Sequence, residues 1–314
     1  MRNHSELINH VYNGVVLDFS KCENVSLALQ KFVKKDIIEE TKKKSKFLAS
    51  ITKIPKIILN FSERVENQRK NLEKCGYENI FKSEDKQCLK LKTSSRLVVG
   101  LGSGHVLETS LTLHHIFGIP YIPASALKGV VRMVSFWEIA EKLSKKTDEE
   151  IEKLQKQLYD NEISSYDNED ILKHKLLFGT QNFKGLLVFL DAYPEIQDNQ
   201  DIFELDVMTP HYQGYYTKNQ PPGDWENPNP IVFLTVKSGI NFCFNVLFDK
   251  FRAKEISKDK NFSQEVKKII EEWLPDNSSN LSSNLSKLVK SWLEAALKEY
   301  GVGAKTRLGY GIFE

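Results

Sequence analysis

Apolar residues recur along the chain with two periods, and the period sets the element each stretch is expected to form. Val25, Leu29, Phe32 and Val33 fall at helical spacing within 24–50, ahead of a lysine-rich run from Lys42 to Lys46. A second helix is expected over 56–75, opening just after Pro55. VYNGVVLDF, within residues 1–20, reads as a short strand, and RLVVGLG, Arg96 to Gly102, as a strand that ends in glycines. Pro120 and Pro123 keep the next segment extended. Ser125 is then placed to cap a helix that turns Leu127, Val130, Val131 and Val134 inward.

Residues 144–175 are polar and acidic and read as a helical insertion. KGLLVFLDAY, Lys184 to Tyr193, has the continuous apolar character of a buried strand. Residues 194–230 form a long connection holding Pro221, Pro222, Pro228 and Pro230. Two strands follow, Ile231–Val236 and Ile240–Phe248. In the second, Ile240, Phe242, Phe244, Val246 and Phe248 alternate with Asn241, Cys243 and Asn245. Lys237–Ser238–Gly239 joins the two, so they are expected to pair as a hairpin. Helices are expected over 262–274 and 281–300, the latter with Leu281, Leu285, Leu288, Trp292 and Ala296 on one face and Gly301 at the C-cap. LGYGIF gives a short last strand. Strands and helices interleave, with hairpin pairing, which predicts an α+β fold. Residues 1–92 read as a basic, largely helical N-terminal region packed on a core domain spanning 93–314. That domain carries the acidic insertion at about 144–175 and the long loop at about 194–230.

Charge sharpens this division. The net charge of +2 conceals a basic stretch, 31–92, with 17 Lys/Arg against 9 Asp/Glu, and an acidic stretch, 140–206, with 8 against 16. The first suits a polyanion and the second a basic protein neighbour, although two solvated helical faces would give the same skew. No apolar run approaches the roughly 18 residues of a membrane span, and the first residues, MRNHSELINHVYNG, hold no apolar signal-like run. Cys22, Cys75, Cys88 and Cys243 show no CxxC pair and no zinc spacing, so reduced thiols are expected, with neither a disulfide nor a metal site.

The densest candidate chemistry is GVGAKTRLGYG, Gly301 to Gly311. Gly301, Gly303, Gly309 and Gly311 let the backbone turn and approach a partner closely. Lys305, Thr306 and Arg307 suit an anion such as a phosphate. Neither nucleotide-binding template fits. GLGSG at 100–104 would need its third glycine at His105, and Ala304–Thr306 lacks both the glycine before lysine and room for a following helix. His114 and His115, adjacent in an extended segment, are expected to point to opposite faces. Neither they nor His211 stand at a telling distance from a nucleophile. Tyr212, Tyr215, Tyr216 and Trp225 suit base stacking and a protein interface equally.

Two motifs together carry a family resemblance. IPYIPASALKGVVR, Ile119 to Arg132, resembles the Pro-x-Ser-x-x-Lys-Gly-x-x-Arg signature of the RAMP superfamily of CRISPR proteins, and GVGAKTRLGYG resembles its C-terminal glycine-rich loop. Gly102–Pro123 and Asp206–Tyr212 look most like the sixth Cmr subunit of type III-B effector complexes. The resemblance implies a ferredoxin-like, RRM-type β-α-β-β-α-β core, with strand 96–102 and helix 124–143 as its first βα pair. It implies a non-catalytic, cytoplasmic, prokaryotic RNA-binding subunit without cofactor or metal. Its partners would be CRISPR RNA, target RNA, the repeated backbone subunit, the small subunit and the subunit capping the 3′ end. Ser125, Lys128 and Arg132 on one helix strip would join the glycine loop in holding RNA. His105, Thr209, His211 and Tyr212 are possible RNA or partner contacts. Alternatives are a RAMP endoribonuclease processing precursor CRISPR RNA, with His114, His115 or His211 as base, and a purely protein-docking subunit using the acidic stretch.

Overall fold

The structure is organised around the phenylalanine-rich segment 241–249. This computed structural model describes residues 24–31, 33, 37–38, 40–52, 61–81, 88–105, 107–159, 163, 167–196, 200–223, 225–274 and 281–314. The strand expected within 1–20 and residues 56–60 of the second helix lie outside the described residues. Strands β7 (Asn241–Phe244) and β8 (Val246–Asp249) are one extended segment interrupted at Asn245. Phe242, Phe244, Leu247 and Phe248 are fully buried, as expected for a strand covered on both sides.

On one flank, β1 (Tyr77–Asn79) pairs antiparallel with β8 and β2 (Leu89–Lys92) with β7. On the other flank, β3 (Leu187–Phe189) pairs with β8 and β4 (Tyr193–Pro194) with β7, again antiparallel. The C-terminus adds to the outer side of β2: Thr93 bridges Phe313, and Lys92 and Glu314 exchange both backbone hydrogen bonds at 3.0 and 2.8 Å. The order across the sheet is therefore C-terminal segment, β2, β7, β4. Helix α4 (Ala124–Lys142) connects β2 to β3, and helix α10 (Ser283–Ala295) leads from β8 back to the C-terminal segment. The two helices meet where the Trp292 indole donates to Glu138.

Three expectations about strands change. The first strand of the sheet is 89–92, not 96–102. Only Leu97 of the latter forms a bridge, to Val236, and Gly100–Ser103 is a turn. Strands 231–236 and 240–248 do not form a hairpin. β6 (Ile231–Val236) pairs instead with β5 (Phe203–Met208), inside the stretch expected to be loop. The reason is Thr93, whose backbone bonds Gly239 and Ile240 while Leu97 takes Val236. The 237–239 turn wraps that segment, so the strands on either side of it enter different sheets. A short helix, α7 (Gln213–Lys218), also occupies the expected loop.

In place of the one helix expected over 24–50, the described residues hold α1 (Val25–Lys31), a helical piece at 37–38 and α2 (Thr41–Ile51), and the next named helix is α3 (Phe61–Lys74). The acidic stretch forms α5 (Asp148–Tyr159) and α6 (Glu169–Phe178), which bury Leu154, Leu158 and Ile171 against Ile139 and Ala140 of α4. Two further helices, α8 (Lys250–Lys258) and α9 (Gln264–Trp273), separate β8 from α10.

The cysteine expectation is also corrected. Cys88 and Cys243 are disulfide-bonded with Cα atoms 5.9 Å apart, because Leu89 and Phe244 are register partners and bring the two residues alongside. Their separation of 155 residues in sequence gave no spacing signal.

Candidate nucleic-acid interface

Helix α10 widens into a π-helical turn at Ala296–Tyr300 and stops at Gly301, whose φ of 76° no β-branched side chain tolerates. The loop beyond is closed at its base. Val302 donates to the Gly311 carbonyl at 3.0 Å, Ala304 to Val98 at 2.8 Å, and Gly311 to Arg96 at 2.8 Å. Gly303 and Gly311 are required by this internal packing: a Cβ would lie 2.4 Å from the Val98 oxygen at the first and 2.0 Å from the Val302 oxygen at the second. At Gly309, by contrast, a Cβ would meet nothing within 4 Å. The close approach that the glycines allow is thus largely between parts of this chain.

The apex of the loop is a single 3-10 turn, Thr306–Leu308, entered through Lys305 in the left-handed region at φ 62°. The Leu308 and Gly309 amides bond back to Lys305 and Thr306. Among the described residues the amides of Lys305, Thr306 and Arg307 bond nothing. Successive free amides after a left-handed residue form a concave, electropositive nest. Arg307, Leu308 and Gly309 are exposed around it.

One side of the loop is tied to the β5–β6 pair by residues that pattern reading did not single out. Arg96 Nε lies 2.5 Å from Glu204 Oε1 and its Nη1 3.1 Å from Asp206 Oδ2, and the Tyr310 hydroxyl also donates to Asp206. Burial pushes the Asp206 carboxyl up, but the Tyr310 hydroxyl, the Val207 amide, Arg96 and Lys305 together hold it below its ordinary value. Lys305 Nζ stands 5.7 Å over the Phe233 ring. Arg96 is therefore paired with Glu204 and Asp206, Lys305 acts on Asp206 at longer range, and neither Lys305 nor Arg307 makes an ion pair among the described residues. Asp206 lies on β5, inside the stretch expected to be loop, and its contact with Tyr310, 104 residues away, leaves no local sequence signal.

The Ser125–Lys128–Arg132 strip forms on α4 as spaced, but Ser125 is not the cap. The helix begins at Ala124, whose amide donates to Asp191 Oδ1 at 2.7 Å, and Ser125 sits exposed in the first turn. Asp191 thus fills the capping role from another strand end. The contacts of Arg132 are with α5 and the turn after α6: its guanidinium lies 4.2 Å over Tyr159 and its Nη2 reaches the Gly179 carbonyl at 3.4 Å.

The four candidate contact residues separate. His105 is half-buried and its Nδ1 accepts the Leu107 amide at 3.1 Å. Burial lowers its pKa, opposed by a bond to the Leu29 backbone, so it ties the 100–107 turn to α1. Thr209 and His211 are exposed beyond the end of β5, and Tyr212 precedes α7 at φ 63°. With them stand the exposed rings of Tyr215, Tyr216 and Trp225. His114 and His115 do not point apart: their rings stack at 5.1 Å and 10°, because His114 opens a tight turn in which Gly118 donates back to it.

The RAMP superfamily model matches residues 90–314. The chain is 35% identical over 257 residues to the CRISPR system Cmr subunit Cmr6 of Pyrococcus furiosus, covering 71% of this chain and 66% of that protein. It is 27% identical over 163 residues to the CRISPR system CMR subunit Cmr6 of Saccharolobus solfataricus, covering 51% and 45%. The chain thus spans about two-thirds and under half of the lengths of these relatives. A chain of the cryo-EM structure of the Type III-B Cmr-beta bound to cognate target RNA superimposes over 99% of this chain and 86% of its own, with a TM-score of 0.54 at 17% identity, a likeness of fold alone. The match from Lys90 to the last residue takes in all of the strands except β1 and the first residue of β2, both α4 and α10, and the glycine loop, and on it the chain belongs to the RAMP superfamily.

Proposed function

We propose that this chain is a non-catalytic RNA-binding backbone subunit of a type III-B CRISPR ribonucleoprotein, acting as a Cmr6-type protein in the cytoplasm of a prokaryote. The observation that carries the reading is the apex of the glycine loop, where three amides without a partner among the described residues adjoin the exposed Arg307. Such a nest takes phosphate without reading bases, which suits a guide whose sequence varies. The sheet order and two crossing helices fit a ferredoxin-like core, with α1–α3 as its N-terminal extension. The 35% identity to a Cmr6 supports CRISPR RNA, target RNA and other Cmr subunits as partners. We assign its position to the 3′ end of the CRISPR RNA, against the repeated backbone, small and capping subunits.

The endoribonuclease alternative is less well supported. His114 Nδ1 accepts the Ile116 and Phe117 amides at 3.3 and 3.4 Å, and burial and then His115 lower its pKa. A neutral ring so held keeps its proton on Nε2 and is a donor there, not a base.

A filter assay with labelled single-stranded RNA tests the loop. Replacing Lys305 and Arg307 together by Ala is expected to weaken binding and to make the slope of log K against log salt shallower by about 1.4, two phosphate contacts at about 0.7 each. An unchanged slope means that the loop does not hold RNA.

A further inference from the structure

Away from the glycine loop, four cations from three segments meet at the turn that follows α6. Lys128 and Arg132 come from α4, Lys184 from the turn itself and Arg252 from the first turn of α8. The turn is rigid. Gly179 bridges Lys184, and a Cβ would lie 2.5 Å from the Phe183 oxygen at Gly179 and 2.4 Å from the Leu177 oxygen at Gly185. Lys184 is therefore offered from a fixed backbone, with its side chain 61% exposed. Arg252 Nη1 holds the Lys184 carbonyl at 2.5 Å while its guanidinium lies 4.7 Å over Phe183.

Negative charge is scarce here. Among the described residues, the carboxylate that meets any of the four is Asp249. Its Oδ2 stands 3.7 Å from Lys184 and its Oδ1 accepts the Arg252 amide at 3.0 Å. Lys128 meets none, and burial, then Arg132 and Lys184, lower its pKa. The turn also contains Thr180, one of two described side chains, with Asn245, whose buried oxygen has no hydrogen-bond partner. Lone buried hydroxyls are costly and ask for a missing partner. Cations offered from a helix and a turn suit a tetrahedral anion, which accepts in three dimensions, better than a planar carboxylate.

We propose that the Gly179–Gly185 turn is a second phosphate site, in which Lys184 with Lys128 binds one phosphodiester of the RNA strand. The inference rests on the RNA-binding reading above and adds Lys184, a contact outside the glycine loop that shares Lys128 with the α4 motif. The test is fluorescence anisotropy of a labelled unstructured RNA across a salt series, with Lys184→Ala, Lys184→Arg and, as a control on α8, Lys258→Ala. Lys184→Ala is expected to weaken binding several-fold at low salt and to reduce the slope by about 0.7, one phosphate on a single strand. Lys184→Arg is expected to keep the slope, and Lys258→Ala to match the unmodified chain. An unchanged slope in Lys184→Ala, with the Lys305/Arg307 double variant still reduced, overturns this site and leaves the loop reading standing. Salt-independent binding by the unmodified chain overturns both. A labelled oligoglutamate that loses affinity for Lys184→Ala, with RNA binding unaffected, overturns the site in favour of an acidic protein partner.

Discussion

At the residue scale, the glycine loop divides its labour. Gly303 and Gly311 carry positive φ and have carbonyl oxygens where a Cβ would stand, so their role is to let the loop close on Arg96–Val98 and on Val302. Gly309 has positive φ in open space. Gly311→Ala is therefore expected to cost about 2–3 kcal/mol in a thermal or urea melt, left-handed strain plus a backbone clash, while Gly309→Ala costs about 1–2 kcal/mol from strain alone. Equal costs at the two positions would show that the loop does not close this way. The glycines and the cations were visible in the sequence as a motif. The carboxylates Glu204 and Asp206, which occupy Arg96 and face Lys305, were not, because they come from a strand about a hundred residues earlier. Neither Lys305 nor Arg307 makes an ion pair among the described residues, and Arg307 is the more exposed of the two. Likewise His174, buried with Nδ1 2.9 Å from Ser135 Oγ and pushed down to about 3 by burial, then Arg132 and Lys175, gave no signal on an otherwise ordinary helix.

At the scale of elements, local pattern identified types better than pairings. Helices α4 and α10 were legible because long amphipathic periods and a C-cap glycine act locally. The partner of β6 was not, since the Lys237–Gly239 turn, which signals a hairpin with β7 that does not form, is used instead to wrap Thr93. Strand β5 was hidden in a proline-bearing stretch because its pairing with β6 skips over α7. Pairing also explains the disulfide. Cys88 enters β2 and Cys243 lies in β7, so the register of these two strands brings the sulfurs together. In the chain-entropy account a cross-link closing 155 residues contributes up to about 5 kcal/mol. Non-reducing peptide mapping is expected to recover Cys88 and Cys243 as one linked pair, and replacing both by Ser is expected to lower the melting temperature under non-reducing conditions. Free thiols at both positions in the folded protein would refute the pairing.

At the scale of the whole molecule, charge and family converge. The basic excess of 31–92 and the acidic excess of 140–206 stand on different parts of one chain. The acidic stretch is built as α5 and α6 packed on α4. Such a molecule can hold a polyanion on one part and meet a basic protein with another. Superfamily membership was legible in the sequence because both motifs are short and local, whereas the ties from Arg96, Asp206 and Lys184 to their neighbours depend on the fold. In the proposed reading, phosphate contacts from loop, helix and turn would account for affinity without sequence preference. The most direct test is equilibrium binding of the unmodified chain to two labelled single-stranded RNAs of equal length and unrelated sequence, each over a series of salt concentrations. The account predicts that log K falls linearly with log salt, at about −0.7 for each phosphate held, with the same slope and similar affinity for both RNAs. Binding that ignores salt, or that favours one sequence by more than about tenfold, would contradict it.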